Sequence, residues 1–145
     1  MKTTIQIDIT KTQVSRLQET DFDNLVFGKT ISDHMFVADY VDGEWTDLRI
    51  EPYAPLSLNP SNATLHYGQS IFEGIKAYRM KDGSAAIYRP YENMKRFNRS
   101  ALRMEMPEVP EELFIGGIKK LLQVEDQWIP NEIEHALYVR PFMFS

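Results

Sequence analysis

Arg96, inside the run NMKRFNRSALRM, carries the group best suited to holding an anion. A guanidinium grips a phosphate or carboxylate with two parallel hydrogen bonds. Spacing alone favours a plainer role, a solvated arginine paired with Glu92 one helical turn back. Lys76 and Arg140 are further cations on stretches that are otherwise apolar. There a charge needs a partner or a cleft, because an unpaired buried charge is costly. The alternative is a cation snorkelling to the surface. Tyr67, Phe72 and Tyr138 can line an apolar pocket or fill a core, and core packing is the commoner use. Glu73, beside Gly74, has the chemistry of an acid or base, but equally that of an acceptor for turn amides.

Other chemistries are poorly supported. The chain has 3 histidines and no cysteine, with no His-x-x-x-His pair, so a metal site is not expected. It has no GxGxxG and no GxxxxGK[ST], which removes dinucleotide and P-loop binding. No Ser–His–Asp set stands out.

These groups need elements to position them. The stretch His34–Val41 (HMFVADYV) is dense enough in apolar and aromatic residues for a strand, and Asp42-Gly43 reads as its turn. Trp45–Glu51 is the returning strand. Pro52, Pro55 and Pro60 then punctuate an extended connection. Ile75–Met80 and Ala85–Tyr88 flank Lys81-Asp82-Gly83-Ser84 as a hairpin. Pro90 opens a helix in which Met94, Phe97, Ala101 and Met104 share one face. Arg96, Arg99 and Arg103 share the neighbouring face. Pro107 is expected to end it. A second helix opens at Pro110-Glu111-Glu112, turns Leu113, Ile118, Leu121 and Leu122 inward despite Gly116-Gly117, and is closed by Trp128-Ile129-Pro130. Ala136–Phe144 (ALYVRPFMF) reads as one strand with Tyr138, Arg140 and Phe142 on one side. Residues 1–20 read as an edge strand or a loose arm. The fold class expected is α+β, a mixed and mostly antiparallel sheet with helices packed on one face.

The 145 residues are 43% hydrophobic and 26% charged, which suits a folded domain and argues against disorder. A net charge of −5 gives no bias toward nucleic acid or an anionic membrane. No apolar run approaches the length of a membrane span, and the opening MKTTIQIDITKTQ has no secretory signal, so a cytoplasmic location is the expectation. RPFMFS reads as a cut within a longer chain.

From about Leu25 onward the chain resembles the N-terminal part of branched-chain amino acid aminotransferases, in the fold type IV group of pyridoxal-phosphate enzymes. The segments VFGKTISDHMF, LSLNPSNATLHYGQSIFEGIKAYR, YRPYENMKRFNRSALRM and LYVRPFMF carry it. The SDHMF block and LNPSNATLHY look like the longer, mitochondrial-like subgroup. HYG-x-S-x-FEG alone is shared with D-amino acid aminotransferases and aminodeoxychorismate lyases, which remain the alternative enzymes. A stand-alone, non-catalytic dimerisation or binding module is the alternative of another class.

The resemblance implies roles. Arg96 matches the arginine that holds the phosphate of pyridoxal 5′-phosphate. Phe27 and Phe72 match pocket residues around the branched side chain. Tyr67 matches a tyrosine that lines the partner subunit's pocket in a homodimer. Tyr138 and Arg140 match a pocket tyrosine and a substrate-positioning arginine, and Lys76 a basic position nearby. The implied substrates are branched-chain amino acids, glutamate and their 2-oxo acids, in branched-chain amino acid biosynthesis. Transamination makes a carbanion at the substrate Cα, for which the cofactor ring is the electron sink. The family's cofactor-bonding lysine belongs to a second domain that is expected to be absent here. The expected division is therefore an unassigned arm over 1–24 and the small domain over 25–145, with no catalytic residue and weak or no cofactor binding.

Overall fold

The computed structural model describes residues 5–132 and 134–145. Its first framework is a hairpin of β2 (His34–Val41) and β3 (Glu44–Pro52), turning at Asp42-Gly43. Both turn residues have positive φ, 52° and 88°, which matches the twist of the paired strands. Residues Asp8–Ile9 form β1, which lies parallel to β3 with Asp8 opposite Arg49. The edge-strand alternative for the N-terminal residues is therefore the one adopted there.

Two polar knots fasten that N-terminal stretch. Buried Asp33 accepts from the Ser15 hydroxyl (2.5 Å), the Arg16 amide (3.0 Å) and Trp128 Nε1 (3.3 Å). His34 Nε2 accepts from the Thr12 amide at 2.8 Å, which leaves Nδ1 to carry the proton donated to buried Glu125 at 2.5 Å.

A short helix, α1 (Ala63–Tyr67), starts at Asn62, whose side chain accepts from the Thr64 amide at 2.9 Å. Gly68 stops it with φ 65°. The strands β4 (Ser70–Phe72), β5 (Ile75–Arg79) and β6 (Ala85–Ile87) follow. Next come α2 (Pro90–Arg103) and α3 (Glu111–Val124), then β7 (Leu137–Val139) and β8 (Phe142–Phe144). The fold is α+β. Its strands divide into three small sheets, β1-β3-β2, β4-β8 and β6-β5-β7, and every pairing except β1 with β3 is antiparallel.

Three boundaries differ from expectation. The single strand expected over Ala136–Phe144 is two, because Pro141 has no amide hydrogen to continue a ladder. The chain instead changes sheets there, β7 pairing with β5 and β8 with β4. The Pro141 carbonyl accepts from the Glu73 amide at 2.8 Å. Helix α2 ends at Arg103, before Pro107, where Glu105 adopts φ 54°. Leu121 is only half buried, while Phe114 and Ile115 are buried beside Leu113, Ile118 and Leu122.

The core lies where α2 and α3 meet the sheets. Phe97 and Ala101 of α2 pack with Leu113, Phe114, Ile118 and Leu122 of α3 and with Ile71, Ile75 and Ala77. The rings of Phe97 and Phe114 lie 5.3 Å apart. Each such large side chain, fully buried, contributes about 1.5–3 kcal/mol. Gly117 lets α3 approach β2, since a Cβ there would lie 2.4 Å from Phe36. Asn98 joins α2 to the start of α3 by accepting from the Val109 amide and donating to its carbonyl, both at 2.9 Å.

Candidate functional site

The site grows from the end of β4. Glu73 follows Phe72 directly, and its carboxylate is buried, with the side chain 4% exposed, while the Arg96 side chain is 61% exposed. Arg96 docks one edge of its guanidinium on this carboxylate. Its Nη2 donates to Oε2 at 2.8 Å, and its Nε donates to Oε1. Asn93, one turn earlier on α2, donates to the same Oε2 at 2.8 Å, and the Gly74 amide donates to it at 3.2 Å. A guanidinium has five N–H groups, so two used on Glu73 leave three directed away from it.

The electrostatics follow from those bonds. The hydrogen bond from Arg96 is the largest cause holding the Glu73 carboxyl below the usual range, with Asn93 and the Gly74 amide adding to it against the effect of burial. The same bond and the Glu73 charge raise Arg96 above its ordinary value. Arg96 thus stays charged and stays aimed. The pairing with Glu92 that spacing favoured is taken by Lys95, at 3.0 Å.

A cavity of about 500 Å³ opens beside this arginine. Arg99, Ser100, Arg103 and Met104 line it from the α2 side, and Ser70, Ile71 and Phe72 from β4. The three arginines that the helical spacing placed on one face do share one cavity.

A cluster of aromatics borders it. Phe27 meets Tyr138 edge to face, with centroids 5.1 Å apart. Arg140 donates from Nη2 to the Tyr138 hydroxyl at 3.0 Å and lies over the Phe72 ring, 4.6 Å from its centroid. Lys76 is exposed on β5 directly opposite Tyr138 on β7, so both side chains leave the same sheet face. Gly74 completes the junction, because a Cβ there would lie 2.1 Å from the Tyr138 hydroxyl oxygen. One dipeptide, Glu73-Gly74, therefore supports both Arg96 and Tyr138.

Phe27, Phe72, Lys76, Tyr138 and Arg140 are brought together, with Arg96 next to them. Tyr67 stands apart, 85% exposed at the end of α1, with His66 as its ring neighbour at 6.2 Å. Sequence reasoning treated Glu73 as an acceptor for turn amides and missed its grip on Arg96. It also missed Asn93. The available signal was an acid beside a glycine on a strand, together with an asparagine one turn from an arginine. Among the described residues, no group of three or more His, Cys, Asp or Glu is placed to hold a metal ion, and no helix is long and apolar enough to cross a membrane.

Comparisons with known proteins agree with this arrangement. The chain is 46% identical over 129 residues to branched-chain-amino-acid transaminase 1 of Bacillus subtilis, covering 88% of this chain and 36% of that protein. It is 42% identical over 145 residues to branched-chain-amino-acid aminotransferase 2 of the same organism, covering 99% of this chain and 39% of that protein. The chain thus spans little more than a third of the length of these relatives. Among solved structures it resembles a bacterial branched-chain amino acid aminotransferase in two forms. The form complexed with N-(5′-phosphopyridoxyl)-L-glutamate matches at TM-score 0.53 and 33% identity, over 66% of this chain and 30% of that one. The form with pyridoxamine 5′-phosphate matches at TM-score 0.55 and 29% identity, over 79% and 33%. No family model matches the chain.

Proposed function

We propose that this chain, a homologue of the branched-chain amino acid aminotransferases, forms the part of such an enzyme that anchors the phosphate of pyridoxal 5′-phosphate and builds one wall of the substrate pocket. The observation that carries this is Arg96, fixed edge-on by a buried carboxylate with its remaining N–H groups free for a ligand, at the rim of an aromatic cluster.

The fit to the cofactor is partial and specific. Arg96 would hold the phosphate, with Ser70 and Ser100 as hydroxyl donors in the same cavity. When bound, the cofactor supplies an electron sink for the charge that develops at the substrate Cα. Phe27, Phe72 and Tyr138 exclude water from the substrate's apolar side chain. Arg140, braced on Tyr138, positions a carboxylate, and Lys76 adds positive charge at the same face. An apolar wall with a cation beside it suits leucine, isoleucine or valine in one half-reaction and glutamate's second carboxylate in the other. The amino group would pass between those amino acids and 2-oxoglutarate. Tyr67, exposed and apart from the cluster, suits a role in a second subunit's pocket, so the functional unit is a homodimer. We assign residues 25–145 to the small domain and no function to 1–24. The setting is cytoplasmic branched-chain amino acid biosynthesis.

None of these residues supplies the base. The chain alone should therefore bind the cofactor weakly and should not transaminate. The test follows the Arg96 side chain by nuclear magnetic resonance while pyridoxine 5′-phosphate or pyridoxine is added. Only the phosphate-bearing compound should shift the Arg96 Nε–H and Gly74 amide signals. Borohydride treatment with pyridoxal 5′-phosphate should trap no single lysine stoichiometrically. Stoichiometric trapping at one lysine would overturn the assignment.

A further inference from the structure

Arg96, Arg99, Ser100 and Arg103 recur at helical spacings of three, four and seven on α2, so they share one face. From Arg96 to Arg103 that face runs about 10 Å, at about 1.5 Å per residue. It forms one side of the cavity described above, which is longer than a single phosphate needs.

The charges in that cavity are unbalanced. Its lining holds three arginines and no acid, although the whole chain has 21 acidic and 16 basic residues. Arg16, Arg49, Arg79 and Arg96 each have a carboxylate partner. Among the described residues, Arg99 and Arg103 have neither an ion pair nor a hydrogen bond. Like charges at these helical spacings destabilise a helix. The helix dipole favours Arg103 in the last turn, but not Arg99 in the middle of the helix. The cavity also has an apolar side, formed by Ile71, Met104 and the exposed ring of Phe72.

We propose that Arg99, Arg103 and Ser100 form a second anion seat along α2, which takes a phosphate monoester whose apolar group rests on Phe72 and Met104. Two guanidinium forks and a hydroxyl match the several acceptor oxygens of a tetrahedral dianion better than the two oxygens of a carboxylate. The inference rests on Arg96 being the cofactor's anchor only in assuming that its own N–H groups are engaged elsewhere.

The test uses the whole chain carrying Arg96→Gln, so that the first seat is silent, and titrates inorganic phosphate and phenyl phosphate by calorimetry. Both should bind saturably, with phenyl phosphate several-fold tighter because its ring meets Phe72. Adding Arg99→Gln and Arg103→Gln should weaken both by about tenfold or more. Adding Arg99→Lys and Arg103→Lys, which keeps the charge and loses the forks, should fall between. Should the Gln variants unfold, the Lys pair decides. Absent binding, or binding unchanged by either pair of substitutions, overturns the seat and shows solvated arginines instead. Inorganic phosphate alone binding identifies a free anion rather than an ester and overturns the ligand class. Failure of the Arg96 assignment would show separately, as an unchanged response of Arg96→Gln to pyridoxine 5′-phosphate.

Discussion

Gly74→Ala should dislodge Tyr138 and loosen the pocket wall while leaving the fold intact. The added Cβ would stand 2.1 Å from the Tyr138 hydroxyl oxygen, 2.9 Å from Cζ and 3.2 Å from Cε2. Gly74 has no positive φ, so the cost is one of space and not of backbone strain. The ring cannot retreat freely, because Phe27 holds its edge at 5.1 Å and Arg140 its hydroxyl at 3.0 Å. Overpacking of this kind costs about 1–3 kcal/mol. The lost aromatic pair is worth about 0.5–1.5 kcal/mol within that range. Thermal unfolding should then drop by roughly 3–10 °C for a chain of this size. Nuclear Overhauser contacts between Phe27 and Tyr138 should vanish. Because the closest clash is with the hydroxyl oxygen, Tyr138→Phe should recover part of the loss, and a double-mutant cycle should give a coupling of about 1 kcal/mol. A neutral Gly74→Ala, with the Phe27–Tyr138 contacts intact and no coupling to Tyr138→Phe, would refute the reasoning.

Three other outcomes follow from the same geometry. Gly117→Ala places a Cβ 2.4 Å from Phe36 and should destabilise the chain by about 1–3 kcal/mol in urea unfolding, with Phe36→Leu partly restoring it. Glu73→Gln should leave Arg96 mobile and weaken its response to pyridoxine 5′-phosphate, while Asn93→Ala should do so less; equal affinity in all three proteins would contradict the positioning role. Acid should undo two contacts. Burial opposes ionisation of Asp33, but hydrogen bonds from Ser15, the Arg16 amide, Trp128 and the Arg16 side chain outweigh it. Its carboxyl therefore lies below its ordinary 3.8, and that of Glu73 below its ordinary 4.5. Because both folded values are depressed, their stabilisation is full above the ordinary values and fades as pH falls through the folded ones. Hydrogen exchange at the Arg16 amide should speed up in that window, and Asp33→Asn should remove the Asp33 part of the pH dependence.

Much of this fold is legible where local chemistry decides it. The density of β-formers marks β2 at His34–Val41, and Asp42-Gly43 marks its turn. Pro90 and the three-and-four spacing of Met94, Phe97, Ala101 and Met104 mark α2 and its buried face. Long-range choices are not legible in the same way. The spacing of Arg96 pointed to Glu92 on its own helix, whereas the buried Glu73, 23 residues earlier, outcompetes it by offering both carboxylate oxygens in a site that solvent screens less. The alternation through Ala136–Phe144 suggested one strand. Pro141 breaks the ladder, and which sheet each half joins depends on partners near residues 70 and 75. Glycines at Gly116-Gly117 look like a weak helix until Phe36 is seen against Gly117.

The most direct test of the account is an exchange. The 129 matched residues of Bacillus subtilis branched-chain-amino-acid transaminase 1 would be replaced by the corresponding residues of this chain. Amino transfer to 2-oxoglutarate would then be measured from leucine and from D-alanine. The account predicts a folded hybrid that uses leucine. It also predicts that Arg96→Gln raises the pyridoxal 5′-phosphate concentration needed for half activity by about tenfold or more, as loss of a charge-assisted phosphate contact should. A folded hybrid that is inactive with leucine, that uses D-alanine instead, or that is indifferent to Arg96→Gln would contradict it.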